Sequence, residues 1–273
     1  MALRSAPDAG GARGALAGHV PAMLAIAAAT LSVELGVFLL ARAIAAPLLQ
    51  TALVTLGAAV LWTALAAPAF AAARAGPDWL GSFLRAGTVA DSGGVVLIVL
   101  WLTCPAVTLA SAVKAYCILA GVAMFGAAAV CAARSRAGRS AAAVAAAGVL
   151  LVCLASPFWV GGAARSTDRP FARRALAAAV WINPFYALTD TLDVRGGFVW
   201  HRHGELLYSR VEGGYFGPAP PACWYASVLI DLAAAAVLVA GALLRRVVFG
   251  RAGPPPAGRA VAPPDVAVPC RDG

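Results

Sequence analysis

Charge is what this chain has least of. Only 12% of its 273 residues are Asp, Glu, Lys or Arg, against 62% hydrophobic. A soluble domain carries about 25% charged residues, so the polar surface needed to face water on all sides is missing. Lysine is rarer still: of 21 basic residues every one is arginine except Lys114. That single lysine lies in SAVKAY with no glycine-rich stretch before it. A phosphate-cradling GxxxxGK[ST] loop is therefore excluded, and with it ATP hydrolysis by this chain itself. Neither a CxxC pair nor a Cys/His cluster is present, so neither a metal centre nor a disulfide framework is supported. Hydrolase signatures such as GxSxG and HExxH are absent as well. We read the chain as a non-enzyme that needs no cofactor.

What is abundant is apolar sequence in runs of nearly 20 residues, each long enough to cross a hydrocarbon core of roughly 30 Å. The pattern predicts an all-α integral membrane protein with six transmembrane helices. Residues 1–19, rich in small residues and glycine, are expected to form a disordered cytoplasmic tail. The six-span domain covers 20–244, and a Pro-rich tail follows from 245 to 273. The spans are expected at about Pro21–Ala41, Leu48–Ala72, Val95–Val113, Ala115–Ala133, Ser140–Val160 and Cys223–Leu244. The run from Val20 to Ala41 is longer than the 7–15 apolar residues of a signal peptide, which predicts a retained span. A polar connector is expected at 74–94, with DWLGSFL as a short interfacial helix. The longest connector, 161–222, lies between spans five and six.

The net charge of +9 reads as arginines flanking membrane spans and not as a nucleic-acid surface. Placing the N-terminus inside puts Arg4, Arg13, Arg74, Arg85, Arg134, Arg136, Arg139, Arg245, Arg246, Arg251, Arg259 and Arg271 on the inner side. The long connector holds seven more arginines, but long segments translocate largely regardless of charge. The short outer loops then hold only Arg42 and Lys114. The positive-inside rule accordingly predicts cytoplasmic termini and an outward 161–222 connector.

Within that connector the stretch WINPFYALTDTL (181–192) is out of character for a solvent loop. Phe171–Ile182 is helix-competent but too short to span. Pro184 must break the helix, because its ring removes a donor and clashes one turn back. The same proline suits the first position of a second short helix. The pattern predicts helix, break, helix: a re-entrant or interfacial hairpin of Trp181, Asn183, Pro184, Phe185 and Tyr186 against the outer ends of the spans. Its aromatics favour headgroup depth, and its bent backbone needs protein cover. The alternative is one amphipathic helix lying on the membrane. Asp190 and Asp193 read as solvated or capping groups.

Three ionisable residues fall in or beside the spans: Glu34, Lys114 and Asp231. Both carboxylates are expected on the order of 10 Å below the outer boundary, with Lys114 at that boundary, so that all three could meet. Such a cluster would pin helix packing or form a substrate or proton path. In WHRHGELLYSR (200–210), His201, His203 and Glu205 alternate as a strand would place them on one face, but the set lacks a further ligand for zinc.

Six spans, both termini cytoplasmic and a broken helix pair between spans five and six resemble the membrane subunits of type-2 ABC transporters. The Asn183-Pro184-Phe185 step just before the last span is similar to bacterial permeases of that group. The resemblance covers the order of segments over most of the chain and one short motif. It implies a permease-like subunit of an exporter in a bacterial inner membrane, a separate ATP-binding chain, and pairing into a homo- or heterodimer. Those permeases carry a coupling helix between spans two and three, for which this chain offers only DWLGSFLRAG (78–87). The competing reading is a non-transporting membrane scaffold or assembly protein that docks partners on its outer connector.

Overall fold

The computed structural model describes residues 19–44, 46–73, 79–133, 135–156, 169–192 and 223–249. Among them every regular element is an α-helix: α1 (Val20–Ala43), α2 (Leu48–Ala72), α3 (Trp79–Thr103), α4 (Leu109–Ala132), α5 (Arg136–Leu154), α6 (Arg169–Ile182), α7 (Pro184–Asp190) and α8 (Trp224–Phe249). Six of these, α1 to α5 and α8, are long and apolar enough to cross a membrane, with the short pair α6–α7 between the fifth and the sixth. The chain is an all-α, multi-pass membrane protein. The tails and the connector histidines His201 and His203, with Glu205 and Asp193, lie outside the described residues.

Helix α4 is the hub. It packs on α2, α3, α5 and α8, and the residues it turns to them include Ala112, Ala115, Gly121, Ala123, Gly126 and Ala127. Without a hydrophobic drive between helices in lipid, close approach is what lets dispersion contacts accumulate, and small residues permit it. At Gly126 the approach is tight: a Cβ there would stand 3.0 Å from Pro68 Cδ of α2. Leu56, Leu100, Ile118 and Leu119 fill the space around this axis. By contrast, α1 and α8 are peripheral and turn Leu24, Leu39, Leu229 and Val237 outward, as lipid-facing helices do.

Several boundaries differ from the sequence expectation: α5 runs Arg136–Leu154 where the sequence predicts Ser140–Val160, and two further differences have a clear physical reason. The third span begins at Trp79, not near Val95, and no separate DWLGSFL helix precedes it. Residues 79–94 look polar, but Ser82, Arg85, Thr88 and Ser92 all find backbone carbonyls in α2 or in the helix itself. Thr88 and Ser92 donate to the carbonyls one turn back, Leu84 and Thr88. Ser82 donates to Ala71 O (3.0 Å), while Arg85 donates through Nε to Phe70 O (2.9 Å) and through Nη2 to Ala71 O (3.2 Å). Arg85 is thus buried inside α3 and not on a loop. It closes the carbonyl end of α2, where unsatisfied C=O groups and the helix dipole favour a cation.

The second difference follows from Pro105. The apolar run 95–113 reads as one span but straddles two helices. A turn closed by Val107 N donating to Cys104 O (3.0 Å) separates them, with Pro105 at its favoured second position. Thr108 then caps α4, its hydroxyl accepting from Ser111 N (3.1 Å). Lys114 therefore lies within α4 and not between spans. At the far end α8 continues through Arg245 and Arg246 to Phe249.

Candidate functional site

Helix α5 is short. Its 19 residues against the 25 of α2 leave it about 9 Å shorter at 1.5 Å per residue. The α6–α7 pair fills the space over its end, and α7 touches α2, α4, α5 and α8.

Asn183 holds the pair in place. Its Oδ1 accepts from Phe185 N (2.9 Å) and Tyr186 N (3.3 Å), which caps the start of α7. Its Nδ2 donates to Leu154 O (3.1 Å), the last helical carbonyl of α5, and to Ser156 Oγ (3.2 Å). Ser156 Oγ donates in turn to Ala179 O of α6 (3.1 Å). A side-chain amide has two donors and two acceptor lone pairs, and this fully buried one uses all four. The amide orientation is fixed, since a flipped group would set its NH₂ against two backbone N–H donors. At the other end of α7, Ser111 of α4 donates to Thr191 O.

Pro184, Tyr186, Ala187 and Leu188 are buried. The Phe185 ring is lodged against α2 at Gly57, where a Cβ would stand 3.0 Å from Cε2. Gly57 lies in the third turn of α2, about 14 Å from its start. The three aromatics expected at headgroup depth therefore divide: Trp181 is exposed, while Phe185 and Tyr186 turn into protein.

Glu34, Lys114 and Asp231 do not form one cluster. Glu34 is fully buried with no hydrogen-bond partner on either carboxylate oxygen. It faces α3 at Gly93, where a Cβ would stand 3.5 Å from Oε2. Asp231 faces α4 at Gly121, its Oδ2 also buried and unpartnered. Leu119 of α4 stands beside the Gly93 site and Gly121 beside Asp231. Those two positions turn about 200° apart around a helix, so α4 separates the carboxyls. Lys114 lies over the Trp224 ring at 5.9 Å. Each group sits across from a glycine or a ring on a different helix, and sequence spacing alone carries no information about which.

Sequence reasoning missed two polar features. Asp91, assigned to a connector, lies in α3 and accepts from Tyr116 Oη of α4 (2.6 Å). Away from the hairpin, Arg85 of α3, Arg139 of α5 and Arg246 of α8 converge within electrostatic reach of Cys131. Arg246 lies over the Trp79 ring at 4.6 Å. The positive-inside pattern was a signal for the second feature, but it gives a side and not a convergence.

Among the described residues no three His, Cys, Asp or Glu side chains come close enough to hold a metal, and Cys104, Cys117, Cys131, Cys153 and Cys223 form no disulfide. No protein-family model, curated protein or solved structure matches the chain.

Proposed function

We propose that this chain is a permease-like membrane subunit of an ABC exporter, working with a separate ATPase chain, in a bacterial inner membrane with both termini cytoplasmic. The observation that carries the reading is the seat of α7. A broken helix pair, capped by a fully hydrogen-bonded Asn183, stands over the short α5 and rests its Phe185 ring on α2. Non-helical backbone at membrane depth is tolerated where protein covers it, and a transporter subunit has use for such a plug at the mouth of its path.

Helix α2 supplies a mechanical link. One end is tied to α3 by Arg85 and Ser82, and Gly57, in its third turn, carries Phe185. A push on the α2–α3 corner would be passed to the hairpin through a helix and not through a flexible loop. With residues from Trp79 onward already belonging to α3, an ATPase would dock on this corner. One such subunit makes half of a path, so the working unit is a homo- or heterodimer.

Purification of the full chain from native membranes under mild detergent tests the reading. A P-loop ATPase should accompany it, and Arg85→Ala should weaken that association. A chain that purifies without any ATPase, from membranes where a neighbouring ATPase gene is expressed, would overturn it in favour of a scaffold.

A further inference from the structure

The outward side of the α3–α4 pair carries two stripes of exposed residues: Asp91, Val95, Ile98 and Leu102 on α3, and Val113 and Tyr116 on α4. Spacings of three and four keep each set on one helix face. Asp91 and Tyr116 join the stripes. The Tyr116 hydroxyl donates to Asp91 Oδ1 at 2.6 Å, and the Tyr116 ring lies on Gly94, where a Cβ would stand 3.2 Å from Cδ2.

Asp91 is out of place on such a face. It lies at the middle of the 25-residue α3, about 18 Å from either end, too deep for so short a side chain to reach water at the headgroups. A carboxyl at that depth is costly against lipid and faces protein or a water-filled cavity instead. Glu34 and Asp231 follow the rule, each turned to a glycine of a neighbouring helix. Asp91 is turned out of the chain. Among the described residues Tyr116 is its one hydrogen-bond partner, which leaves Oδ2 free to accept.

We propose that this face is the docking surface for a transmembrane helix of a different chain, one that carries an arginine or lysine near its own middle. Charge complementarity selects the occupant: a cation at that depth gives Asp91 a charge-assisted donor and is itself removed from lipid. Val95, Ile98, Leu102 and Val113 supply the apolar contact around the pair. A second copy of this chain brings no such group. Paired on this face, two copies would set Asp91 against Asp91, while each Tyr116 hydroxyl donates to its own carboxyl. The cations of the six described spans lie toward helix ends: Arg42 in the last turn of α1, Arg136 and Arg139 at the start of α5, Arg245 and Arg246 near the end of α8. Lys114, about 8 Å into α4, lies over Trp224, and Arg85 is bonded to the end of α2. The inference holds for a transporter and for a scaffold alike, because it rests on the cost of a carboxyl in lipid.

Photocrosslinking in native membranes tests it. A benzophenone side chain replaces Ile98 in the full chain, and the segment it captures is sequenced. That segment should be an apolar span of another protein, about 20 residues long, with a basic residue near its centre. Asp91→Leu should cut the adduct at least tenfold, while Asp91→Glu, which keeps the charge, should retain most of it. A second measurement reconstitutes the purified chain in liposomes with synthetic leucine-rich helices of about 21 residues, whose central residue is arginine, leucine or glutamate. By energy transfer the arginine helix should bind about thirtyfold more tightly than the leucine helix, the glutamate helix should not bind, and Asp91→Asn should erase the preference. If Asp91→Leu does not fold, the near-isosteric Asp91→Asn carries the test in the liposomes. Adducts to lipid alone, to a second copy of this chain, or to a span without a basic residue would overturn the proposal. So would equal binding of the arginine and leucine helices, or fast labelling of a cysteine at position 95 by a water-soluble thiol reagent, which would make the face the wall of an aqueous path.

Discussion

The side-chain amide of Asn183 donates to the backbone carbonyl of Leu154 at 3.1 Å. One residue thus caps the start of α7 and bonds the last helical carbonyl of α5, joining two helix termini in a buried place. In lipid, water cannot substitute for such bonds, so the contact is a condition for the hairpin to exist where it does.

Replacing Asn183 with alanine should therefore cost more than a surface cap. It removes the amide's bonds to Leu154 O and to the Phe185 and Tyr186 N–H groups, and each buried hydrogen bond contributes about 0.5–1.5 kcal/mol. We expect Asn183→Ala to lower Tm in detergent by several degrees or to abolish monodisperse purification. Asn183→Asp should also fail, since it places a carboxylate oxygen against the Leu154 carbonyl. A variant as stable as the parent would show that the amide bonds do not hold the hairpin.

Pro184 made the break between α6 and α7 legible, because proline punctuates a helix wherever the chain lies. The six long apolar helices were legible for a similarly local reason: length and composition set spans. Pro105 carried the same signal but was overlooked inside an unbroken apolar run, and residues 79–94 were misplaced because satisfied serines and threonines look no different in sequence from exposed ones. The pairing of Glu34 with Gly93, of Asp231 with Gly121 and of Phe185 with Gly57 was not legible at all. These contacts depend on how helices far apart in sequence are rotated against one another, and one chain's periodicity does not state that.

Arg85 supports a second prediction. It is buried and donates to two carbonyls at the end of α2. Arg85→Met keeps the aliphatic stem and removes the guanidinium, which should destabilise the protein by about 2–4 kcal/mol. Arg85→Lys should rescue it only partly, since a single ammonium cannot reproduce the planar fork. Equilibrium unfolding in mixed micelles would measure both, and equal stability of all three proteins would contradict the capping role.

The two carboxyls lead to a prediction opposite in sign to the one a shared ion-paired cluster would give. Removing one partner of a buried pair is costly, but an unpartnered buried acid contributes no bond to lose. Glu34→Met preserves the length of the side chain beside Gly93, so Tm should hold or rise, and membrane insertion should improve as the span becomes more apolar. Asp231→Asn should be close to neutral in stability. Loss of export in either variant, at unchanged stability, would place that carboxyl on the transport path. A fall in Tm of several degrees for Glu34→Met would instead indicate a polar partner that holds the carboxyl in the membrane.

The burial of the hairpin can be read by chemical labelling. In a background without native cysteines, single cysteines at positions 183, 186 and 188 should react slowly with a membrane-impermeant thiol reagent applied from outside. All three native side chains there are buried. Cysteines replacing Arg174 or Trp181, whose side chains are exposed, should react faster, and one at residue 205 in the outer connector should react readily. On the proposed orientation, with both termini cytoplasmic, the same reagent should leave a cysteine at residue 134, between α4 and α5, unlabelled until the membrane is opened. Fast labelling at 134 in sealed cells would reverse the topology without disturbing the fold. Fast labelling at 183 and 186 would mean that α7 is not seated among α2, α4 and α5. The permease reading would then lose the observation it rests on.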